Sequence, residues 1–373
     1  MNSRNEPAAS TITFELSTPS DDGRPVYWVG NFNQWKAADP RYRLEKQEKG
    51  KYRIRLSPEA SWPALIEYKY TRGQWDGVEL DSLGNSTSNR QVLQEQKKIA
   101  DHVPSWMNAG KSYSDAFLPK IQVISETFEM PELIKTRRIA ALLPYNYDQS
   151  QKRYPVLYLQ DGQNLFDDYA PYGNWALDKK LAFLAERGMG EIIVIAIDHA
   201  SEERVAEFTP SYQTKLGVGD GKQYAQFLSK TLKNYVDDHF RTLPQRIHTG
   251  IGGSSMGGLI SMYAGLKYPE VYSKLMIFSP SLWVDPNIAI RADEYFATFE
   301  SKIYIYAGEK ESPTMLPNIL RFKSALEKNR IDESRIAFQL SVDPKGEHNE
   351  HRWGIEFPKA IEWLFFKKHE SLS

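Results

Sequence analysis

The chain has 373 residues, enough for about two domains. Its 41% hydrophobic and 25% charged content is ordinary for a soluble globular protein, and a formal net charge of −1 argues against a nucleic-acid binder built on bulk electrostatics. With no cysteine, disulfides, cysteine nucleophiles and thiolate metal sites are excluded. The N-terminus, Met1-Asn2-Ser3-Arg4-Asn5-Glu6-Pro7, lacks the apolar core of a signal peptide. No stretch approaches the ~18 apolar residues needed to span a bilayer. As written, the chain is expected in the cytoplasm without a membrane partner, or in the periplasm or medium if a leader has been trimmed.

Residues 1–95 alternate in short runs: Thr11-Ile12-Thr13-Phe14-Glu15-Leu16, Val26-Tyr27-Trp28-Val29, Tyr52-Arg53-Ile54-Arg55-Leu56 and Ile66-Glu67-Tyr68-Lys69-Tyr70. Turn signals such as Asp21-Asp22-Gly23 and Glu48-Lys49-Gly50 separate them. Many short strands at this spacing predict a small β-sandwich. Residues 96–120 begin polar and read as a linker. Over 121–373 the rhythm changes. Apolar strand runs at 136–143, 156–159, 192–197, 247–251, 275–278, 303–307 and 336–342 alternate with helical segments at 177–187, 221–239, 316–328 and 353–368. Near-continuous apolar strands between helices predict an α/β domain with a mostly parallel sheet covered on both faces.

The strand at 247–251 runs directly into Gly252-Gly253-Ser254-Ser255-Met256-Gly257-Gly258. This is G-x-S-x-G with extra glycines. It predicts a serine on a tight strand-to-helix turn, with Ser255 as nucleophile. A serine needs a base to take its proton, and the base needs an orienting acid. In α/β-hydrolases they follow in the order Ser, Asp/Glu, His. His348 and His351 both follow the last predicted strand, and His348, in the loop, is the preferred base. The loop Gly308-Glu309-Lys310-Glu311-Ser312 follows the strand at 303–307. Glu309 and Glu311 are both candidate acids. Glu311 is preferred because it lies further into the loop, and Asp285 and Asp343 are weaker alternatives. An oxyanion hole needs two backbone N–H donors. Met256, after the nucleophile, and Gln163, in the loop after the strand at 156–159, are the candidates.

Taken together these residues resemble a known family. Arg153-Tyr154-Pro155-Val156-Leu157-Tyr158-Leu159-Gln160-Asp161-Gly162-Gln163-Asn164-Leu165-Phe166-Asp167 resembles a YPVLYLxDGQNLFD block. That block belongs to the esterase family containing esterase D, enterochelin esterases and feruloyl esterases. Gly253-Ser254-Ser255-Met256-Gly257-Gly258 is similar to its nucleophile elbow, and Gly346-Glu347-His348-Asn349-Glu350 with Trp353 to its histidine block. The resemblance covers about 121–368. It implies an α/β-hydrolase fold and a serine esterase using Ser255, His348 and Glu311 without metal or cofactor. Val26–Trp35, Glu67-Tyr68-Lys69-Tyr70, Gly73-Gln74-Trp75-Asp76 and Asn89 resemble a starch- or glycogen-binding module of immunoglobulin-like fold. There Trp35, Lys69, Trp75 and Asn89 would contact sugar. An esterase joined to such a module suggests acetyl or feruloyl esters on carbohydrate. The alternatives are an enterochelin-like trilactone, with Trp175, Arg204 and Trp283 as lining residues, and a carbohydrate-binding protein without catalysis. Arg204 is also a candidate ion-pair partner of Glu207.

Overall fold

This computed structural model describes residues 11–170, 172–288, 300–328 and 336–367. Residues 1–10 and the end of the helix expected over 353–368 lie outside the described residues. The chain divides into two compact units, Met1–Ser114 and Asp115–Ser373.

The first unit is all β. Its strands are β1 (Ile12–Ser17), β2 (Tyr27–Gly30), β3 (Glu45–Glu48), β4 (Lys51–Leu56), β5 (Leu65–Thr71), β6 (Glu79–Leu80), β7 (Arg90–Leu93), β8 (Lys98–His102) and β9 (Ser105–Trp106). One sheet runs β3-β4-β1-β8 and another β2-β5-β7, with a short β6-β9 ribbon. Strict alternation turns Ile12, Phe14 and Leu16 inward. They share a core with Trp28, Trp62, Ile66, Tyr68 and Tyr70. Phe14 and Trp28 have ring centroids 4.3 Å apart, and Trp28 stacks on Phe32 at 3.7 Å. Aromatic side chains thus supply much of this core, beside aliphatic residues such as Ile12, Leu16 and Ile66.

The stretch read as a linker needs correction. Strands β8 and β9 lie within 96–120, and β8 pairs in parallel with β1. Asp101 explains the pairing of so polar a segment. Its carboxylate accepts from Tyr68 Oη (2.9 Å), Tyr70 Oη (2.7 Å) and Arg90 Nη1 (2.9 Å), which ties β8 to the facing sheet.

The second unit holds β10 (Lys120–Met130), β11 (Lys135–Leu143), β12 (Val156–Gln160), β13 (Ile193–Ile197), β14 (Thr249–Ser254), β15 (Lys274–Phe278), β16 (Ser301–Gly308) and β17 (Ile336–Asp343). They form one sheet in the order β10-β11-β13-β12-β14-β15-β16-β17. The pairs β10–β11 and β11–β13 are antiparallel and the rest parallel. The helices are α1 (Leu177–Glu186), α2 (Arg204–Phe208), α3 (Gly221–Gln226), α4 (Lys233–His239), α5 (Ser255–Lys267), α6 (Met315–Lys328) and α7 (Glu350–Ile361). A wider π turn over Phe227–Leu232 joins α3 to α4. Every residue of β12, β13 and β14 is buried, as strands covered on both faces require. Helix α5 is buried from Met256 to Leu266 and so is apolar all round. This is an α/β-hydrolase sheet preceded by a β-rich unit.

Two features of this unit matter later. Glu207 of α2 is fully buried and receives both Nη2 contacts of Arg137 from β11, at 2.8 and 2.9 Å. In addition, the chain leaves β12 for β13 on one side and later enters β14 on the other. The crevice beyond the carboxyl ends of β12 and β14 is thus a topological switch point, where open α/β sheets bind ligands.

Candidate active site

The loops beyond β12 and β14 meet in that crevice. At the end of β14 the backbone reverses into α5, with Ser255 at φ 55°. The left-handed region costs a residue with a side chain about 1–3 kcal/mol, a strain found at functional turns. Glycines let the turn pack: a Cβ on Gly257 would stand 2.7 Å from Asp161 Oδ2 and 3.0 Å from Gln160 Cβ. One on Gly253 would stand 2.9 Å from the Gly257 carbonyl carbon. The elbow is thereby seated against the β12 loop, and the Ser255 hydroxyl stands at the start of α5.

Three of the residues singled out in the sequence come together here. His348 Nε2 lies 3.0 Å from Ser255 Oγ, and His348 Nδ1 lies 2.9 Å from Glu311 Oε2. The Glu311 side chain is 1% exposed. Its other oxygen, Oε1, accepts from Ser279 Oγ and the Gly308 N–H, both at 2.7 Å. Ser279 in turn accepts from the Trp353 indole N–H at 2.9 Å. With Oε1 held by two donors, Oε2 is fixed toward the imidazole. The Nδ1–H tautomer follows, which leaves Nε2 as an acceptor for the serine proton. Such a relay can transfer the hydroxyl proton as the oxygen attacks an electrophile.

The alternative acids stand elsewhere. Glu309 is exposed, and its N–H donates to the Asp343 carbonyl. Asp285 accepts from Tyr212 Oη at 2.5 Å, and Asp343 faces Arg352 at 3.4 Å. His351 is exposed on α7.

Of the two residues expected to supply oxyanion donors, Met256 directly follows the serine and Gln163 lines the same cavity. Met256 is the second residue of α5, where helix N–H groups lack internal partners. Gln163 sits in the turn after β12, a direct neighbour of β14 in the sheet. Its side chain anchors that turn, because Gln163 Oε1 accepts the His199 N–H at 3.0 Å.

A cavity of about 900 Å³ opens from Ser255 and His348. Trp175 lines it and is stacked on Phe278 at 5.3 Å, and Arg204 also lines it. Trp283 does not: it is 46% exposed and outside the lining. The expected Arg204–Glu207 pair is also absent. Arg204 Nε and Nη2 grip the two oxygens of Asp161 at 2.6 and 2.9 Å, while Glu207 pairs with Arg137 and Lys135. At three positions apart on a five-residue helix, Arg204 and Glu207 look paired in sequence; the fold turns one to the cavity and the other inward. Sequence reasoning passed over Asp161, Tyr172, His199, Glu202 and Glu350 in the lining, and Ser279 behind Glu311. Asp161 and Glu350 stand inside the motif blocks themselves. Ser279 was findable as the residue just past the end of β15, the position that Ser255 occupies after β14.

Residues 131–364 match the model of the family described as "Putative esterase". The chain belongs to this esterase family. As an esterase it is 24% identical over 249 residues to the uncharacterized protein YbbA of Bacillus subtilis, covering 63% of this chain and 95% of that one. A segment of 87 residues, 23% of the esterase, is 42% identical to part of an alpha-amylase of Niallia circulans, covering 7% of the amylase. Among solved structures it is similar to the enterobactin esterase FES from Shigella flexneri, crystallised in the presence of enterobactin. The TM-score is 0.55 at 15% identity, over 95% of this chain and 92% of that one.

In the first unit, Trp35 and Trp75 lie together, with ring centroids 6.2 Å apart, and Trp75 is 45% exposed. Lys69 is committed elsewhere. Its Nζ donates to Thr87 O (2.5 Å), Thr87 Oγ1 (3.0 Å) and Ser88 O (3.3 Å), and burial pushes its pKa down. The Asn89 amide reaches Glu67 Oε2 at 3.4 Å.

Proposed function

We propose that this esterase is a serine carboxylic ester hydrolase working through an acyl-enzyme, on carbohydrate-linked acetyl or feruloyl esters or similar small esters. The observation that carries the reading is His348 bridging Ser255 and a buried, doubly anchored Glu311. Ser255 Oγ attacks the ester carbonyl carbon while His348 Nε2 takes its proton, and the carbonyl π electrons move to oxygen. The Met256 and Gln163 N–H groups, with the amino end of α5, stabilise that oxyanion. Collapse breaks the bond to the alcohol oxygen, which leaves with the proton from His348. Water then attacks the acyl carbon with His348 as base, and the acid product departs from Ser255.

Glu311→Gln tests the relay. The amide keeps an oxygen for Ser279 and Gly308 but turns its NH2 toward Nδ1. The proton is then forced onto Nε2, which can no longer accept from serine. A fall in kcat of about 10³–10⁴-fold is expected, with KM little changed. Glu309→Gln should leave turnover intact. Equal rates for the two variants would remove Glu311 from the mechanism.

We further propose that Trp35 and Trp75 form a sugar-stacking surface, with Lys69 as an internal clasp rather than a ligand. The partly exposed ring pair supports this. In affinity electrophoresis through soluble starch, the full chain should be retarded and Trp35→Ala/Trp75→Ala should not. Unretarded wild-type protein would make the unit a scaffold.

A further inference from the structure

The charged residues lining the cavity beside Ser255 are unequal in number: three carboxylates, Asp161, Glu202 and Glu350, face one guanidinium, Arg204. Arg204 and Asp161 neutralise each other through their two-point contact at 2.6 and 2.9 Å. Glu202 and Glu350 have no ion-pair partner among the described residues. The Asn164 amide donates to Glu350 Oε1 at 3.4 Å.

The two histidines of the lining do not redress the balance. His199 Nδ1 accepts the Ser201 N–H at 2.9 Å and so carries no proton there, and burial holds this imidazole below its usual pKa. His348 must be neutral to act as a base. The uncompensated charge of the cavity is therefore negative. The Glu350 pKa is raised, first by burial and then by the field of Asp161, against the opposing pull of Arg204. A substrate anion entering beside it meets the same carboxylates.

We infer that Glu350 and Glu202 make this a charge-selecting cavity, which admits neutral, hydroxyl-bearing esters and disfavours esters carrying a carboxylate or other anion near the scissile bond. The inference rests on the serine-ester reading and narrows it. Carboxylates accept hydrogen bonds from the hydroxyls of a sugar or phenol, and they repel an anion that offers them no proton. A multiply anionic chelate would need a free cation, and the guanidinium of this cavity is already engaged by Asp161.

Matched esters test it. On the acyl side, the mono-p-nitrophenyl ester of glutaric acid is compared with its neutral methyl diester. On the alcohol side, para-acetoxybenzoate is compared with its methyl ester. Each kcat/KM is divided by the rate of hydroxide hydrolysis. In at least one pair the neutral ester should be favoured about tenfold or more, as like charges in a partly buried site imply. The preference should shrink in about 0.5 M salt. Glu350→Gln should narrow the ratio several-fold. Glu202→Gln, at an exposed position that folding does not depend on, should narrow it less. Equal turnover within both pairs, or a ratio that neither variant moves, would overturn the charge selection. Failure to hydrolyse any of the four esters would overturn the serine-ester reading itself, and the inference with it.

Discussion

Replacing Ser255 with alanine is expected to lower kcat for p-nitrophenyl acetate by about 10⁴–10⁶-fold, the range seen when one member of a cooperating catalytic group is removed. The fold should survive. The Oγ contacts are His348 Nε2 at 3.0 Å and Ser281 Oγ at 3.3 Å, and His348 stays anchored to Glu311 without them. The thermal midpoint of the variant should therefore match the parent. Because Ser281 lies so close, Ser281→Ala is the necessary companion: it should keep most of the activity. If Ser255→Ala keeps its turnover while Ser281→Ala loses it, the nucleophile has been misassigned by one hydroxyl.

The second large effect is on stability. Glu207 is 0% exposed, and Arg137 supplies two of its contacts, with Lys135 Nζ a third at 3.3 Å. Arg137→Met fills the space but leaves a buried carboxylate with one distant cation, and the expected cost is about 3 kcal/mol. Burial already raises the Glu207 pKa, against the lowering pull of Arg137 and Lys135. Removing Arg137 raises it further. A carboxyl whose folded pKa lies above its unfolded value binds its proton more tightly when folded. Stability then falls as pH rises from the unfolded value through the folded one. The deficit of the variant should be full at neutral pH and shrink on acidification toward the ordinary carboxylate range. Urea unfolding across that span measures it. A deficit that does not change with pH would mean that lost packing, not charge, is responsible.

How far the sequence revealed the molecule depended on burial. The seven strands expected after residue 121 all appear: the central ones, such as β12 and β13, are buried along their length and write continuous apolar runs, while β17 is a partly buried edge. Strands β3, β6, β7 and β9 were missed, and so were β8 and β10, the last two both edges. Their residues are mostly exposed, so their sequences, KIADH and KIQVISETFEM, follow no buried pattern. The boundary at residue 95 was misplaced for the same reason: Asp101 looks like a linker residue until two tyrosine hydroxyls and an arginine converge on it.

The site followed a similar rule. Ser255, His348 and Glu311 were legible because strand order and reaction chemistry constrain them together. Glu311 was preferred over Glu309 for its place further into the loop, and it is Glu311 that meets His348. The partner of Arg204 was unreadable because Asp161 lies 43 positions earlier in the chain, whereas Glu207 lies one helical turn away. Trp283 was proposed for its residue type alone, and type does not say which way a ring faces.

The outward order of the sheet also fixes a schedule. From β14 to β17 the strands are laid down side by side in the order in which they are synthesised. Serine arrives with β14, the acid after β16, and the base only beyond β17, at the rim. A nascent chain paired as far as β16 already presents its serine, but with nothing to take the proton. On the mechanism proposed above, the contact between Ser255 and His348 closes only once the segment after β17 is in place.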